Sequence, residues 1–178
     1  MRHGAIKRAW SFRDDIEEPL LAEGRMQARE AGLQLRGTEF EAVFCSPYKR
    51  AEETCRIVLH AMGTPKTPVR VDERLRERDF KGIYGTSFSD GLNRELYDPN
   101  SDYSVQHGVE TLDAMEERVE EFLYDVKGSF PNGNILVVAH AALGLVFQAE
   151  VYGWPESGCL LDKYKPLQHG EIMKLMLK

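Results

Sequence analysis

The run from Ile135 to Ala139 constrains the fold more than any other feature, because every one of its side chains is apolar. A short, continuous apolar run is typical of a β-strand covered on both faces, and strands of that kind belong to parallel sheets between helices. Glu41 to Cys45 predicts a second buried strand, and Thr67 to Val71 predicts a more peripheral one. We also expect a final strand over Glu171 to Leu177.

Stretches with apolar residues at helical spacing separate these strands. The predicted helices run from about Leu21 to Leu35, from Ser46 to Met62, from about Ser89 to Tyr97, from Thr111 to Val126 and from about Leu143 to Tyr152. Ser46 and Thr111 are good N-cap residues, and Pro47 suits the first helical position. Strands that alternate with helices predict an α/β fold of three layers, in which helices flank a central, mostly parallel sheet.

We expect residues 1–178 to form a single domain, because a chain of this length suffices for one sizeable core. The stretch of about 73–110 is polar and irregular, and it contains several glycines. A stretch of this kind is typical of an insertion that covers a site.

The net charge of −6 argues against a broad nucleic-acid surface, which needs a basic stripe, although it permits a small positive pocket for one phosphate group. The three cysteines lack a Cys-x-x-Cys spacing, so buried free thiols are expected rather than a disulfide framework or a zinc site. Neither a signal segment nor a membrane-spanning run stands out in the sequence. We therefore expect a cytoplasmic protein that binds neither nucleic acid nor membranes, in an oligomeric state that the sequence leaves open.

Polar residues with a common chemistry stand where predicted strands end, and ligands of parallel sheets bind at that edge. His140 ends the most buried strand, and Arg50 lies in the first turn of the helix after another. The chain also opens with Arg2, His3 and Gly4. Arginine grips a phosphoryl oxygen with paired hydrogen bonds, histidine offers a nucleophilic nitrogen, and glycine lets the backbone come close.

Together these residues suit phosphoryl transfer through a histidine. His3 is the candidate nucleophile, Arg2 and Arg50 are the candidate cations around the phosphoryl oxygens, and His140 would bond an oxygen with help from the backbone N–H of Ala141.

Phosphoryl transfer also needs an acid for the leaving group. Glu77 is the candidate that protonates the leaving oxygen and then activates water. Asp72, Glu73 and Asp79 compete with it for that role, because they share its polar segment.

The order of these motifs resembles that of the histidine phosphatase superfamily, the phosphoglycerate mutase-like group. The matching segments, in family order, are Arg2-His3-Gly4, Pro19 to Gly24, Ser46 to Thr54, Arg74 to Arg78, Gly108 to Thr111 and Ile135 to His140. The resemblance covers residues 2 to about 144. It implies a central, mostly parallel sheet flanked by helices, and catalysis by a transient phosphohistidine without a metal or other cofactor.

The resemblance also carries roles onto single residues. It implies phosphate binding by Arg50 and proton donation by Glu77, and it places Arg13 as a further basic residue in the loop after the nucleophile. The family usually has glycine where Ala141 stands, and after Glu77 its glycine is displaced to Gly82. The backbone N–H of Ala141 survives that change.

The largest departure is at the start, because the resemblance implies a buried central strand immediately before Arg2, where this chain has only Met1. We therefore expect the first central strand to be missing or truncated at the N-terminus, with Met1 an internal methionine of a longer protein. If Met1 is the true start, we expect a less stable protein that holds His3 poorly.

The resemblance implies an enzyme that hydrolyses phosphomonoesters of small molecules. A phosphoglycerate mutase-type phosphotransferase is the nearest alternative, and the short chain favours hydrolysis, because mutases tend to have longer cover segments. A non-catalytic phosphate-binding or regulatory module on the same fold is the alternative from another class. Family members act on sugar phosphates, nucleotides and phosphoproteins, so the resemblance implies a reaction class and no single substrate.

Some residues have a structural interpretation. We expect His60, His107 and His169 to be structural or exposed, because none has a matching context. Arg78 is expected to support the site through an ion pair, and Glu110 to organise a helix start. Four aromatic residues either line a pocket or pack in the core: Trp10, Phe12, Phe80 and Tyr84.

Overall fold

The computed structural model describes residues 1–7, 11–13, 15–156 and 158–177, so Trp10 lies outside the described residues. The α-helices are α1 (Ala22–Gln34), α2 (Lys49–Met62), α3 (Asp90–Leu96), α4 (Tyr103–His107), α5 (Leu112–Ser129), α6 (Ala141–Tyr152) and α7 (Leu160–Lys163). The strands are β1 (Ala42–Cys45), β2 (Val69–Val71) and β3 (Ile135–Val138), and short 3-10 helices form at Glu73–Leu75 and Lys81–Ile83. In the part of the chain that the structure describes, no helix has both the length and the apolar character needed to cross a bilayer.

The three strands form one parallel sheet in the order β2-β1-β3. Val43 of the central strand is in register with Val69 on one side and with Leu136 on the other. Every residue of β1 is buried, as the apolar run predicts. The expectation of an α/β fold with a parallel sheet flanked by helices is confirmed.

The sheet separates two apolar clusters because successive side chains of a strand point to opposite faces. Val43 packs into a cluster with α1 and α2, whereas Phe44 packs into a cluster with α5 and α6. The ring centroids of Phe44 and Phe122 lie 5.2 Å apart in an edge-to-face arrangement. The protein therefore has three layers, with the sheet in the middle.

The predictions for two helix starts have different outcomes. The prediction that α2 begins at Ser46-Pro47 is wrong, since the helix begins at Lys49 with Tyr48 as N-cap. The Ser46 hydroxyl accepts the backbone N–H of Tyr48 at 3.3 Å, before the helix begins. At α5 the prediction is confirmed, because Thr111 Oγ1 accepts the backbone N–H of Ala114 at 3.1 Å.

The predicted strand over Glu171 to Leu177 is wrong, because this segment has no strand in the structure. Its side chains do alternate, since Ile172 packs against the α1/α2 cluster and Leu175 against the α5/α6 cluster. A strand also needs a hydrogen-bonded neighbour. The sheet pairings of the described residues include none with this segment, although Arg2 donates its backbone N–H to the Glu171 carbonyl at 3.1 Å.

Residues 73–110, called the cover segment below, contain α3, α4 and both 3-10 helices. The loop after Arg-His-Gly docks on this segment, because Phe12 donates its backbone N–H to Thr86 at 3.0 Å and accepts that of Gly85 at 2.7 Å. Phe12 also packs on Phe80, with ring centroids 4.8 Å apart, whereas Tyr84 is 43% exposed. For Phe12 and Phe80 the core interpretation is therefore the one that the structure supports.

Candidate active site

The site forms where the chain start runs beside the end of β3. Arg2 pairs with Ala139 in a parallel bridge, and the backbone N–H of His3 donates to the Ala139 carbonyl at 3.0 Å. This pairing brings His3 next to His140, and their ring centroids lie 5.2 Å apart. Two histidines far apart in sequence thus share one edge of the sheet.

Close backbone contacts fix His3 in place. A Cβ atom on Gly4 would lie 2.2 Å from the carbonyl oxygen of Gly24, and a Cβ atom on Gly24 would lie 2.2 Å from that of Ala5. Gly4 also donates its backbone N–H to Thr54 Oγ1 at 3.0 Å, and Thr54 in turn donates to the Arg50 carbonyl at 2.7 Å. The glycines and the threonine of the sequence motifs therefore allow the segment that carries His3 to lie directly against α1 and α2.

Two hydrogen bonds define the state of the His3 ring. Nδ1 lies 2.7 Å from the Gly4 carbonyl, which can only accept, so Nδ1 carries the hydrogen. Nε2 accepts from Arg50 Nε at 3.1 Å, so Nε2 carries the lone pair. Burial lowers the pKa of His3 well below its usual value, and the charge of Arg50 lowers it further. The buried ring is thus a neutral imidazole whose available lone pair is on Nε2, which is the state that a histidine needs to act as a nucleophile.

Arg50 is the most constrained cation of the site, with a side chain only 2% exposed. Its Nη1 atom donates to the backbone carbonyl of Asp15 at 2.7 Å and lies 2.9 Å from the Asp15 carboxylate. Its guanidinium also stands over the Tyr48 ring, 4.7 Å from the centroid. A carboxylate and an aromatic face therefore aim the guanidinium at His3.

Arg2 is held by the C-terminal part of the chain. Nη1 donates to the Leu167 carbonyl at 2.7 Å, and Nη2 donates to His169 Nε2 at 3.0 Å. Burial lowers the pKa of Arg2, whereas the negative charge of Glu77 raises it. Its Nε atom is buried without a hydrogen-bond partner among the described residues.

His140 is the second histidine at the sheet edge. Its Nε2 atom is hydrogen-bonded to Ser46 Oγ at 2.6 Å, and its ring meets that of Tyr48 with a centroid distance of 4.9 Å. Burial lowers the pKa of His140 well below its usual value, with further contributions from the charges of His3 and Arg50. Its Nδ1 atom is buried without a partner among the described residues.

The arrangement suits an oxyanion. Two guanidinium groups and the start of α6 at Ala141, where backbone N–H groups lack helical partners, meet at one edge of the sheet. Buried polar atoms without partners are costly, and Arg2 Nε and His140 Nδ1 are two such atoms in one site. A phosphoryl group has the charge and the oxygens to satisfy them.

Glu77 lies on the cover segment with a half-buried side chain. Its Oε1 atom accepts the backbone N–H of Arg78 at 3.0 Å. Its charge opposes the lowering of the Arg2 pKa by burial, and it adds to the effect of burial that raises the pKa of Tyr97. Glu77 therefore acts electrostatically on one of the residues that hold the candidate phosphate position.

Two neighbouring arginines hold the backbone around Glu77. Arg76 forms an ion pair with Glu110 at 2.9 Å. Buried Arg78 donates to the Leu96 carbonyl, to the Glu110 carbonyl at 2.8 Å and to Ser104 Oγ at 2.8 Å. The expectation that Arg78 forms an ion pair is wrong in detail, because backbone carbonyls and a hydroxyl accept its hydrogen bonds.

Glu110 organises the start of α5, as expected. Its carboxylate accepts the backbone N–H of Asp79 at 3.0 Å and pairs with Arg118 at 2.9 Å.

Asp72, an alternative acid to Glu77, forms an ion pair with Arg74 at 2.8 Å, which lowers the pKa of the Asp72 carboxyl. A carboxyl with a lowered pKa is ionised at neutral pH and has no proton to give, so the structure weakens Asp72 as an alternative to Glu77.

Arg13 pairs with a residue outside this cluster. Its side chain is 37% exposed and forms an ion pair with Glu18 at 3.0 Å. None of its described polar contacts is with His3, Arg2, Arg50 or His140.

The structure brings His169 into the site, although the sequence motifs do not predict it there. The prediction that it is structural or exposed missed a residue whose ring lies 5.4 Å from that of His3 and whose Nε2 atom accepts from Arg2. His60 and His107 are exposed, as expected. The signal in the sequence is the glycine that follows His169, because glycine is common in turns. In the structure Gly170 adopts a positive φ of 74°.

A separate group of carboxylates lies on α5 and α6. Glu116, Glu120 and Glu150 have ligand atoms within 4.8 Å of one another, the arrangement that a cation would need. Burial, and next the charge of Glu150, raises the pKa of Glu116, and Glu150 accepts from Trp154 Nε1 at 2.7 Å. This group contains none of the residues described above.

Comparison with known proteins gives the family. The sequence matches the histidine phosphatase superfamily (branch 1) over residues 1–163. A Bacillus subtilis (strain 168) protein named uncharacterized phosphatase PhoE is 29% identical over 157 residues, with 86% of this chain and 76% of the relative covered. A 2,3-bisphosphoglycerate-dependent phosphoglycerate mutase of Mesorhizobium japonicum is 28% identical over 155 residues, with 79% of this chain and 73% of the mutase covered.

The fold is found in solved structures as well. A mycobacterial glucosyl-3-phosphoglycerate phosphatase superposes with a TM-score of 0.72 at 21% identity, with 86% of this chain and 78% of that chain covered. The relatives thus include phosphatases and a mutase that share one fold with this protein. Because the family match extends over most of the sequence, this chain belongs to branch 1 of the histidine phosphatase superfamily.

Proposed function

We propose that this protein hydrolyses phosphomonoesters of small molecules through a phosphohistidine on His3. The observation that carries the proposal is the state of the His3 ring, whose Nδ1 hydrogen is held by the Gly4 carbonyl while Nε2 keeps its lone pair. Arg50 donates to that same atom, so the guanidinium is already beside the position where phosphorus would bind. Arg2 and His140 contribute buried polar atoms that need partners.

In the first step, the lone pair of His3 Nε2 attacks phosphorus as the bond from phosphorus to the ester oxygen breaks. Arg2, Arg50 and His140, with the backbone N–H of Ala141, stabilise the charge on the equatorial oxygens. Glu77, as a carboxylic acid, gives its proton to the departing oxygen, so an alcohol leaves. The products of this step are phospho-His3 and the Glu77 carboxylate.

In the second step, the Glu77 carboxylate takes a proton from water as the water oxygen attacks phosphorus. The bond between phosphorus and Nε2 breaks, and its electron pair returns to the imidazole. Inorganic phosphate leaves, and Glu77 is again protonated. Arg13 is given no step in this mechanism and stays a prediction of the resemblance, since its described polar partner is Glu18.

The test is a screen of phosphomonoesters with release of inorganic phosphate as the readout. We expect turnover of at least one substrate by the wild type, and its loss in His3→Ala, because the nucleophile contributes several orders of magnitude to such reactions. Circular dichroism of His3→Ala establishes that the variant is folded. Equal activity in both proteins would refute the mechanism.

Phosphotransfer of the phosphoglycerate mutase type is the second candidate, and the mutase relative is the observation that favours it. Incubation with 3-phosphoglycerate separates the two. A hydrolase releases phosphate, whereas a mutase returns the 2-phosphoglycerate isomer with negligible phosphate release.

A further inference from the structure

The segment from Leu167 to Glu171 wraps around the chain start. Gly170 donates its backbone N–H to the His3 carbonyl at 3.1 Å, and Arg2 donates its own to the Glu171 carbonyl at 3.1 Å. On the same segment, Leu167 and His169 accept hydrogen bonds from the two Nη atoms of Arg2. The backbone and side chain of Arg2 are thus fixed by one short stretch of chain.

The hydrogen bonds of Arg2 show which of its N–H donors remains available to a ligand. A guanidinium is a rigid plane of five N–H donors, so two bonds at its Nη atoms also determine where Nε points. Nη1 and Nη2 are both engaged, whereas Nε is buried without a partner among the described residues. Of the two acceptors, the Leu167 carbonyl is backbone, so His169 is the one that a substitution can remove.

His169 is suited to accept from a cation. Burial lowers its pKa to about 4, with further contributions from the charges of Arg2 and Arg50. The ring is therefore neutral at pH 7, and because Nε2 accepts from Arg2, its hydrogen is on Nδ1. A protonated imidazole would have no acceptor and would repel the guanidinium.

We propose that His169 is a positioning residue, whose Nε2 atom holds the Arg2 guanidinium so that Arg2 Nε donates to the phosphoryl group. The inference rests on the proposed function in one respect, namely that Arg2 binds a phosphoryl oxygen. His169 itself does not touch the reacting atoms in this account, and it acts only through Arg2.

A packing role predicts a different set of variants. The His169 ring lies 5.4 Å from the His3 ring, so it also serves as a spacer beside the nucleophile. His169→Phe keeps a ring and removes the acceptor, whereas His169→Gln keeps an acceptor and removes the ring. The two roles therefore predict opposite orders of activity for these variants.

The experiment measures binding of inorganic phosphate by calorimetry, together with kcat and KM for an aryl phosphate. We expect His169→Phe to weaken phosphate binding about tenfold or more, since hydrogen bonds to charged groups are among the stronger ones. KM should rise by a similar factor, while kcat falls less. His169→Gln should stay within about threefold of the wild type, as should the control His60→Gln, which alters an exposed histidine.

The outcomes separate the two proposals. If His169→Phe binds phosphate like the wild type, or if His169→Gln is the weaker of the two variants, the positioning role is overturned. If His169→Phe does not fold, the Gln variant decides alone, because a tenfold loss of binding in that variant contradicts the inference. Phosphate binding without turnover overturns the proposed hydrolysis and still tests His169, whereas a wild type that neither binds phosphate nor hydrolyses a phosphomonoester overturns both proposals.

Discussion

The two parts of the site are held in different ways. The floor, made of Arg2 to Gly4 and the end of β3, is fixed by backbone contacts and by glycines with no room for a Cβ atom. Within the cover segment, the stretch around Glu77 is held by the side chains of Arg76, Arg78 and Glu110. The position of His3, the proposed nucleophile, therefore depends on close backbone packing. The position of Glu77, the proposed acid, depends on side-chain hydrogen bonds that single substitutions can remove.

The largest expected effect comes from a substitution that removes the acid of the cover segment and leaves the floor unchanged. Glu77→Gln removes the acid and the base but leaves the floor intact, so we expect kcat to fall by about 10²- to 10⁴-fold. With an aryl phosphate, whose leaving group needs little protonation, His3 should still be phosphorylated while water attack is slowed. Rapid-quench labelling should then show phosphohistidine that accumulates in this variant.

Glu73→Gln is the matched control for Glu77→Gln, since Glu73 is an exposed carboxylate on the same segment. It should keep wild-type turnover within about threefold. If Glu73→Gln loses activity and Glu77→Gln does not, the acid has been assigned to the wrong residue.

A second effect tests whether the floor depends on close packing. In Gly24→Ala the new Cβ atom would lie 2.2 Å from the Ala5 carbonyl, so we expect a loss of about 1–3 kcal/mol in the free energy of unfolding, with reduced turnover because the His3 segment must shift. Gly128→Ala is the control, because Gly128 lies in α5 with open space around it. That variant should gain about 0.5–1 kcal/mol. Denaturant unfolding of both variants checks the prediction, which fails if Gly24→Ala is as stable as Gly128→Ala.

The smallest effect concerns pH and the buried histidines of the floor. The pKa values of His3 and His140 are lowered in the folded protein, chiefly by burial, from the usual 6.5. The unfolded chain therefore binds protons first as pH falls, so stability is full above pH 6.5 and declines below it. The decline is at most about 1.4 kcal/mol per pH unit for each histidine.

Unfolding free energies at pH 7.5 and pH 5.5 measure this decline. His140→Gln should make the dependence on pH shallower than in the wild type, whereas His60→Gln should keep the wild-type slope. A slope in His140→Gln that equals that of the wild type would show that His140 does not contribute to acid destabilisation.

The long helices could be predicted from periodicity, and the strands from short apolar runs, because a strand between two helical layers is buried along its length, as Ala42 to Cys45 are. The final strand could not, because alternating side chains at Ile172 and Leu175 report which faces are covered and not whether a neighbouring backbone is present. The start of α2 lies later than the sequence predicts, and the Ser46 hydroxyl is hydrogen-bonded to His140 as well as to the backbone N–H of Tyr48.

Four residues of the site could be proposed from the sequence, because each stands at a strand end or a helix start with a recognisable motif. They are His3, Arg2, Arg50 and His140. His169 could not be proposed, since its contact with Arg2 depends on how the chain end folds back across the sheet edge. Arg13, which only the resemblance carries, stays a prediction, because its described ion pair is with Glu18.

The bond from Arg50 Nε to His3 Nε2 has a consequence for reactivity. The nucleophile's only lone pair is engaged by the guanidinium that the mechanism assigns to the phosphoryl group, so attack requires that bond to be exchanged for one to an anionic oxygen. A neutral electrophile has no anionic oxygen to accept a hydrogen bond from Arg50, so the lone pair of His3 Nε2 stays engaged. In the proposed mechanism, Arg50 would therefore make His3 selectively reactive toward anions.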